Sequence, residues 1–157
     1  MTNKQLVEIF YEAFSRGDYE TMNSCYSEEV FFSDPVFGMM KGDEVRAMWK
    51  MLCSNATDFS LSFGEITEID SEYITCKWKA TYIFNATGRK VVNNAKAFMR
   101  IQDGEISEHS DGFRLSKWLE QAFGWKGKLF GWTNFMKRKV HKNAHKKLAE
   151  FMANNPV

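Results

Sequence analysis

His109 and Asp111 stand two residues apart in the segment EISEHSDGF. In an extended chain that spacing puts both side chains on one face. An aspartate within reach orients an imidazole and favours its cationic form, the arrangement of a general acid or base working near neutral pH. Asp34 precedes Pro35 in SDPVFG, where an aspartate ordinarily builds a turn by bonding nearby backbone amides. His141 and His145 are spaced i,i+4, as two imidazoles must be to share a zinc ion from one helix. Lys142 occupies the place of the glutamate in such a site, and Lys139, Lys146 and Lys147 also repel a cation, so no metal is expected. Cys25, Cys53 and Cys76 lack ligand spacing and are expected to be reduced and buried. With no glycine-rich phosphate loop present, no cofactor is expected either.

These groups need elements to hold them. At 157 residues, 44% hydrophobic and 26% charged, the chain has the makings of one folded unit. Its 14 Phe, 5 Trp, 5 Tyr and 9 Met imply a roomy apolar interior. Thr2 and Gln5 form a capping box ahead of Leu6, Ile9, Phe10, Ala13 and Phe14 at helical spacing, and Gly17 ends that helix. Asp18 is placed to cap a second helix carrying Met22, Cys25 and Tyr26, and Asp43 a third whose apolar face is Val45, Met48, Trp49 and Leu52. The period then changes to two. Phe59, Leu61 and Phe63 alternate with serines, Cys76, Trp78, Ala80, Tyr82 and Phe84 with polar residues, and Ala95, Ala97, Met99 and Ile101 with Asn94, Lys96 and Arg100. Asp103-Gly104 signals a hairpin into a last strand that is polar on both faces apart from Ile106. Helices followed by antiparallel strands and a helical tail make an α+β protein with helices on one face of a curved sheet.

Helix, Gly-Asp turn, helix, DPV-G, a G-x-x-V-x-x-M-W helix and DGEI-x-E-H-x-D, in that order, resemble the SnoaL-like branch of the nuclear transport factor 2 superfamily, with which ketosteroid isomerases share DPVxG. The similarity covers about residues 3 to 113, and residues 114–157 form an aromatic and basic helical extension. The resemblance implies a cone-shaped roll, a bent antiparallel sheet around the N-terminal helices, enclosing a deep apolar pocket, in a homodimer. It implies that Asp34, at the position of the isomerase base, moves a proton beside a carbonyl. The isomerases stabilise the oxyanion with a tyrosine and a protonated aspartate. Phe10 and Ala97 stand at the matching positions here and donate no hydrogen bond, which argues against steroid isomerisation; a slip of one residue would bring Tyr11 or Lys96 there instead. Alignment on Asp103-Gly104 sends His109 and Asp111 to the pocket, as in cyclase relatives where pocket acids and bases do the work. Asp34, His109 and Asp111 are the expected catalytic set, and Phe10, Phe14, Tyr26, Trp49, Trp78, Tyr82, Ala97 and Met99 the expected ligand wall.

The expected activity is cofactor-free acid/base chemistry of isomerase, hydro-lyase or hydrolase type on a small apolar molecule. The alternative is a non-catalytic ligand-binding or protein-interaction module. Residues 1 to 112 carry 11 Lys+Arg against 18 Asp+Glu, a balance of −7, and residues 113 to 157 carry 10 against 2, a balance of +8. Trp118, Phe123, Trp125, Phe130, Trp132 and Phe135 interleave with those cations. That pattern suits a flap packed over the cone or a partner, with an anionic membrane surface as the competing reading. A sequence pI near 7.7 argues against nucleic acid. The amphipathic, early-charged N-terminus reads as neither signal peptide nor membrane span, so a cytoplasmic location is expected.

Overall fold

A computed structural model describes residues 1–155. Its first helix, α1 (Asn3–Ser15), starts at the expected capping box, Thr2 and Gln5 bonding each other reciprocally. Asp18 caps α2 (Tyr19–Ser24) through the Thr21 amide. The third helix, α3 (Asp43–Asn55), departs from expectation at its start. Gly42 is the capping residue, at φ 59°, while Asp43 sits inside the first turn and pairs with Arg46 at 3.0 Å. A tight exit from the preceding strand demands the left-handed conformation that glycine adopts freely, and this outweighs the aspartate's capping preference. The helix also rotates so that Met51 is buried and Leu52 is exposed.

Six strands form one sheet in the order β2-β1-β6-β5-β4-β3: β1 (Tyr26–Asp34), β2 (Gly38–Lys41), β3 (Thr57–Glu68), β4 (Tyr73–Phe84), β5 (Arg89–Gln102) and β6 (Glu105–Gly112). The expectation of an antiparallel sheet needs one correction, because β1 and β6 run parallel. β1 comes early, before α3, and β6 ends the run of strands, so their pairing joins the β1–β2 hairpin to the β3–β6 strands across most of the chain, a connection sequence periodicity cannot show. Register shifts in β3 and between Tyr26 and Phe31 bend the sheet. α1 and α3 pack against its inner face, where Phe10, Phe14, Met48, Trp49, Trp78 and Met99 share one core.

The tail adds α4 (Leu115–Phe123), α5 (Trp125–Phe130) and α6 (Asn134–Asn154). Trp118, Leu119 and Ala122 bury against Val91 of β5 and Val140 of α6. α6, capped by Thr133, packs through the expected stripe, with Val140 and Leu148 buried and Met136, Ala144 and Met152 partly so. α5 meets α4 through glycine: a Cβ on Gly127 would overlap the Leu119 carbonyl. Gly127→Ala gains about 1 kcal/mol in helix propensity, but the obstacle is backbone and cannot swing away. The variant is therefore expected to lose about 1–3 kcal/mol net, read as a lower urea midpoint; an unchanged or higher midpoint would contradict the close α4–α5 contact.

Candidate functional site

The polar last strand has an interior purpose. β6 leaves the Asp103-Gly104 turn, both residues at positive φ, and turns His109 and Asp111 toward the helices, where they are 2% and 6% exposed. His109 Nε2 lies 2.9 Å from Asp111 Oδ1, and the Trp78 indole N–H donates to that same oxygen at 3.1 Å. On the other side His109 Nδ1 is 2.8 Å from the Tyr26 hydroxyl, which accepts from Trp49 Nε1 at 2.9 Å. These partners assign the protons. A carboxylate only accepts, so Nε2 carries hydrogen; in the neutral ring Nδ1 then accepts from the Tyr26 O–H. One directed chain, Trp49 to Tyr26 to His109 to Asp111, results, with Trp78 as second donor at its end. Burial pushes the Tyr26 phenol well above its ordinary range, with the Trp49 bond opposing, so Tyr26 keeps its proton.

Aromatic rings enclose this chain. Phe10 and Phe32 meet the His109 ring edge-on at centroid distances of 5.5 and 5.1 Å, and Trp49 lies parallel to it at 6.4 Å. Phe14 packs against Trp49 and Trp78. Ala97 and Met99 on β5 stand opposite Asp111 and His109. The expected ligand wall is thus brought together, but as rings packed on one another rather than facing an open hollow. Tyr82 is half-buried where this core meets the tail, its hydroxyl accepting from Trp118 at 2.8 Å. Trp78 also reaches outward, bordering a surface groove of about 540 Å³ with Phe63, Ala95 and Phe113.

Phe10 and Ala97 are both fully buried and donate nothing. The neighbouring Tyr11 is the residue that a slip of one position would bring to the donor's place. It is fully buried, and among the described residues its hydroxyl has no hydrogen-bond partner. Burial first, then the charge of Asp111, pushes its phenol well above the ordinary range. An unsatisfied buried hydroxyl costs about 1–3 kcal/mol, a cost that a polar ligand atom or water at that point would relieve.

Asp34 ends β1 and builds its own turn, Oδ1 accepting from the amides of Val36 at 2.8 Å and Phe37 at 2.6 Å. Burial pushes its carboxyl up to about 6; the Phe37 and Val36 amides and His109 pull it down, and Asp111 pushes it further up. Asp34 therefore lies within electrostatic reach of the His109–Asp111 pair. The tail reaches this turn as well. His145 Nε2 donates to the Phe37 carbonyl, and His141 fills the space beside Gly38 so closely that a Cβ there would overlap its ring. The two histidines considered as zinc ligands thus brace the Asp34 turn, a role no spacing signal announced.

A bent sheet wrapped around helices is the architecture of the nuclear transport factor 2-like class of α+β rolls. The chain belongs to the SnoaL-like domain family, whose model matches residues 7–109. Among solved structures it is similar to a putative polyketide cyclase from Pseudomonas putida KT2440, at 22% identity and TM-score 0.66, over 78% of this chain and 98% of that one. A protein of unknown function with the same type of fold from Burkholderia pseudomallei K96243 matches at 22% identity and TM-score 0.67, over 79% and 100%. TerC, co-crystallised with polyporic acid, matches at 14% identity and TM-score 0.64, over 75% and 95%. No curated protein sequence matches. Residues 110–155, including α4, α5 and α6, lie outside the family match.

Two substitutions should move stability in opposite directions. Tyr26→Phe strands Trp49 Nε1 and His109 Nδ1 without a partner, and the expected loss is about 1–3 kcal/mol. Asp34 binds its proton more tightly folded than unfolded, so the stability it contributes below its ordinary value of 3.8 is lost as pH rises through about 6. Asp34→Asn keeps an acceptor for both turn amides and removes that loss. It should raise stability at neutral pH by on the order of 1–3 kcal/mol and by nothing below about pH 4. Denaturant midpoints across pH check both, and a pH-independent effect of Asp34→Asn would contradict the raised carboxyl.

Proposed function

We propose that the protein binds a small, largely apolar molecule bearing an enolisable carbonyl and moves a proton on it without a cofactor. Asp34 is the base, taking a proton from the carbon beside the carbonyl to leave an enolate and returning one to that carbon or to the enolate oxygen. Tyr11, whose buried hydroxyl has no partner among the described residues, donates the hydrogen bond that the developing enolate oxygen needs in place of the donors missing at Phe10 and Ala97, while the His109–Asp111 pair, its own hydrogen bonds already taken, sets the charge that faces Asp34. The observation that carries this reading is that Asp34 at the end of β1 and the His109–Asp111 pair of β6, from two distant segments, lie within electrostatic reach of one another beside an aromatic interior. A carboxyl raised to about 6 is matched to proton transfer near neutral pH. The groove of about 540 Å³ bordered by Trp78, whose indole bonds Asp111, is the open space beside this network, and TerC, on a similar fold, was co-crystallised with polyporic acid.

The test is carbon-bound proton exchange. 2-Tetralone, an enolisable bicyclic ketone, is incubated with the protein in heavy water and followed by NMR. The protein should accelerate exchange, the rate should rise with pH through about 6 as Asp34 ionises, and Asp34→Asn should lower it roughly a hundredfold or more. Exchange no faster than in buffer, or equally fast with Asp34→Asn, would refute the assignment.

A further inference from the structure

Helix α5 is built inside out. An ordinary surface helix buries its large apolar side chains and shows its small or polar ones. Here Gly127 and Gly131 are the inward residues, pressed onto Leu119, and the large side chains point away. Trp125, Trp132 and Phe135 are 65%, 70% and 71% exposed, and Leu129 and Phe130 are exposed beside them. The Trp132 indole N–H donates to the Leu129 carbonyl at 2.8 Å, which pins that ring across the end of α5. The flap expected from sequence is therefore only half realised: Trp118 and Phe123 pack against β4 and β5, while the later rings stay uncovered.

The charge around this patch is predominantly positive. Between residues 121 and 149 there are eight cations, including Lys126, Lys128, Lys137, Arg138 and Lys139, and no acid. Among the described residues none of the eight lies within ion-pair distance of a carboxylate. A groove of about 360 Å³ beside Trp132 adds Arg114 and Lys117, with Glu120 its lone acid. No helix among the described residues is long and apolar enough to cross a membrane.

We propose that α5 and the start of α6 form a docking surface for an anionic lipid membrane, Trp125, Leu129, Phe130, Trp132 and Phe135 entering the interface while the surrounding lysines meet lipid phosphates. Tryptophan is the side chain that favours the boundary between headgroups and acyl chains, and a basic rim supplies the attraction. The charge distribution selects this occupant. A second copy joined about a two-fold axis would set these cations against themselves, and a nucleic acid would leave Leu129 without a base to stack on. The surface is independent of the proton-transfer reading, since none of its residues belongs to that set.

The test is co-sedimentation of the full chain with vesicles of phosphatidylcholine alone and of phosphatidylcholine with phosphatidylserine, at low and high salt. The expected result is binding to the phosphatidylserine vesicles that weakens with salt, roughly fivefold for each neighbouring cation removed, as in Lys137→Gln. The double variant Trp132→Ala, Phe135→Ala should bind at least roughly tenfold more weakly with an unchanged far-ultraviolet circular dichroism spectrum. Three results overturn the proposal: no binding to phosphatidylserine vesicles at low salt, equal binding by wild type and double variant, or a concentration-dependent dimer lost in Trp132→Ala. Binding to single-stranded polynucleotide without vesicle binding overturns it as well.

Discussion

A histidine and an aspartate buried side by side among aromatic rings impose the strictest condition in this molecule. Each polar atom in such surroundings needs a partner, because water is not there to supply one. The condition is met by drawing groups from one helix and three strands: Trp49 from α3, Tyr26 from β1, His109 and Asp111 from β6 and Trp78 from β4. The chain of hydrogen bonds therefore runs across helix and sheet. It specifies how α3 sits on the strands, since a shift of either would leave a buried donor or acceptor unpaired at a cost of about 1–3 kcal/mol.

Sheet register makes the network fit. Asp111 faces Ala97 and His109 faces Met99 across β5 and β6, while Phe32 of the parallel strand β1 stands beside His109. A methyl and a flexible thioether leave the aspartate and imidazole room to meet the indoles of Trp49 and Trp78. The same economy of space explains Ala97, which as an oxyanion donor makes no sense and as a spacer opposite Asp111 does.

The extension beyond the family match is part of the site's support and also a surface in its own right. Through α6 it delivers His145 to the Phe37 carbonyl and His141 to the side of Gly38, over a hundred residues away in sequence, so the Asp34 turn is held from outside the cone as well as by its own amides. Through α5 it turns large rings outward, an arrangement that only glycine at 127 and 131 permits.

Periodicity, caps and turn residues were readable in the sequence because each depends on neighbours a few positions apart. Thr2 with Gln5, Asp18, Thr133, the Asp103-Gly104 hairpin and the alternation in β3, β4 and β5 all follow from local geometry, and the wet pattern of β6 marked His109 and Asp111 as the residues to explain. Other features depend on groups that meet only in three dimensions. They include the parallel β1–β6 pair, the Tyr26 and Trp49 partners of His109, the orphaned Tyr11 hydroxyl, the displacement of Asp43 by Gly42 as helix cap, and the histidine brace on Asp34. Local spacing states which face a side chain takes; only the packed chain decides what that face meets, because burial and hydrogen-bond satisfaction are properties of segments brought together from the whole length of the sequence.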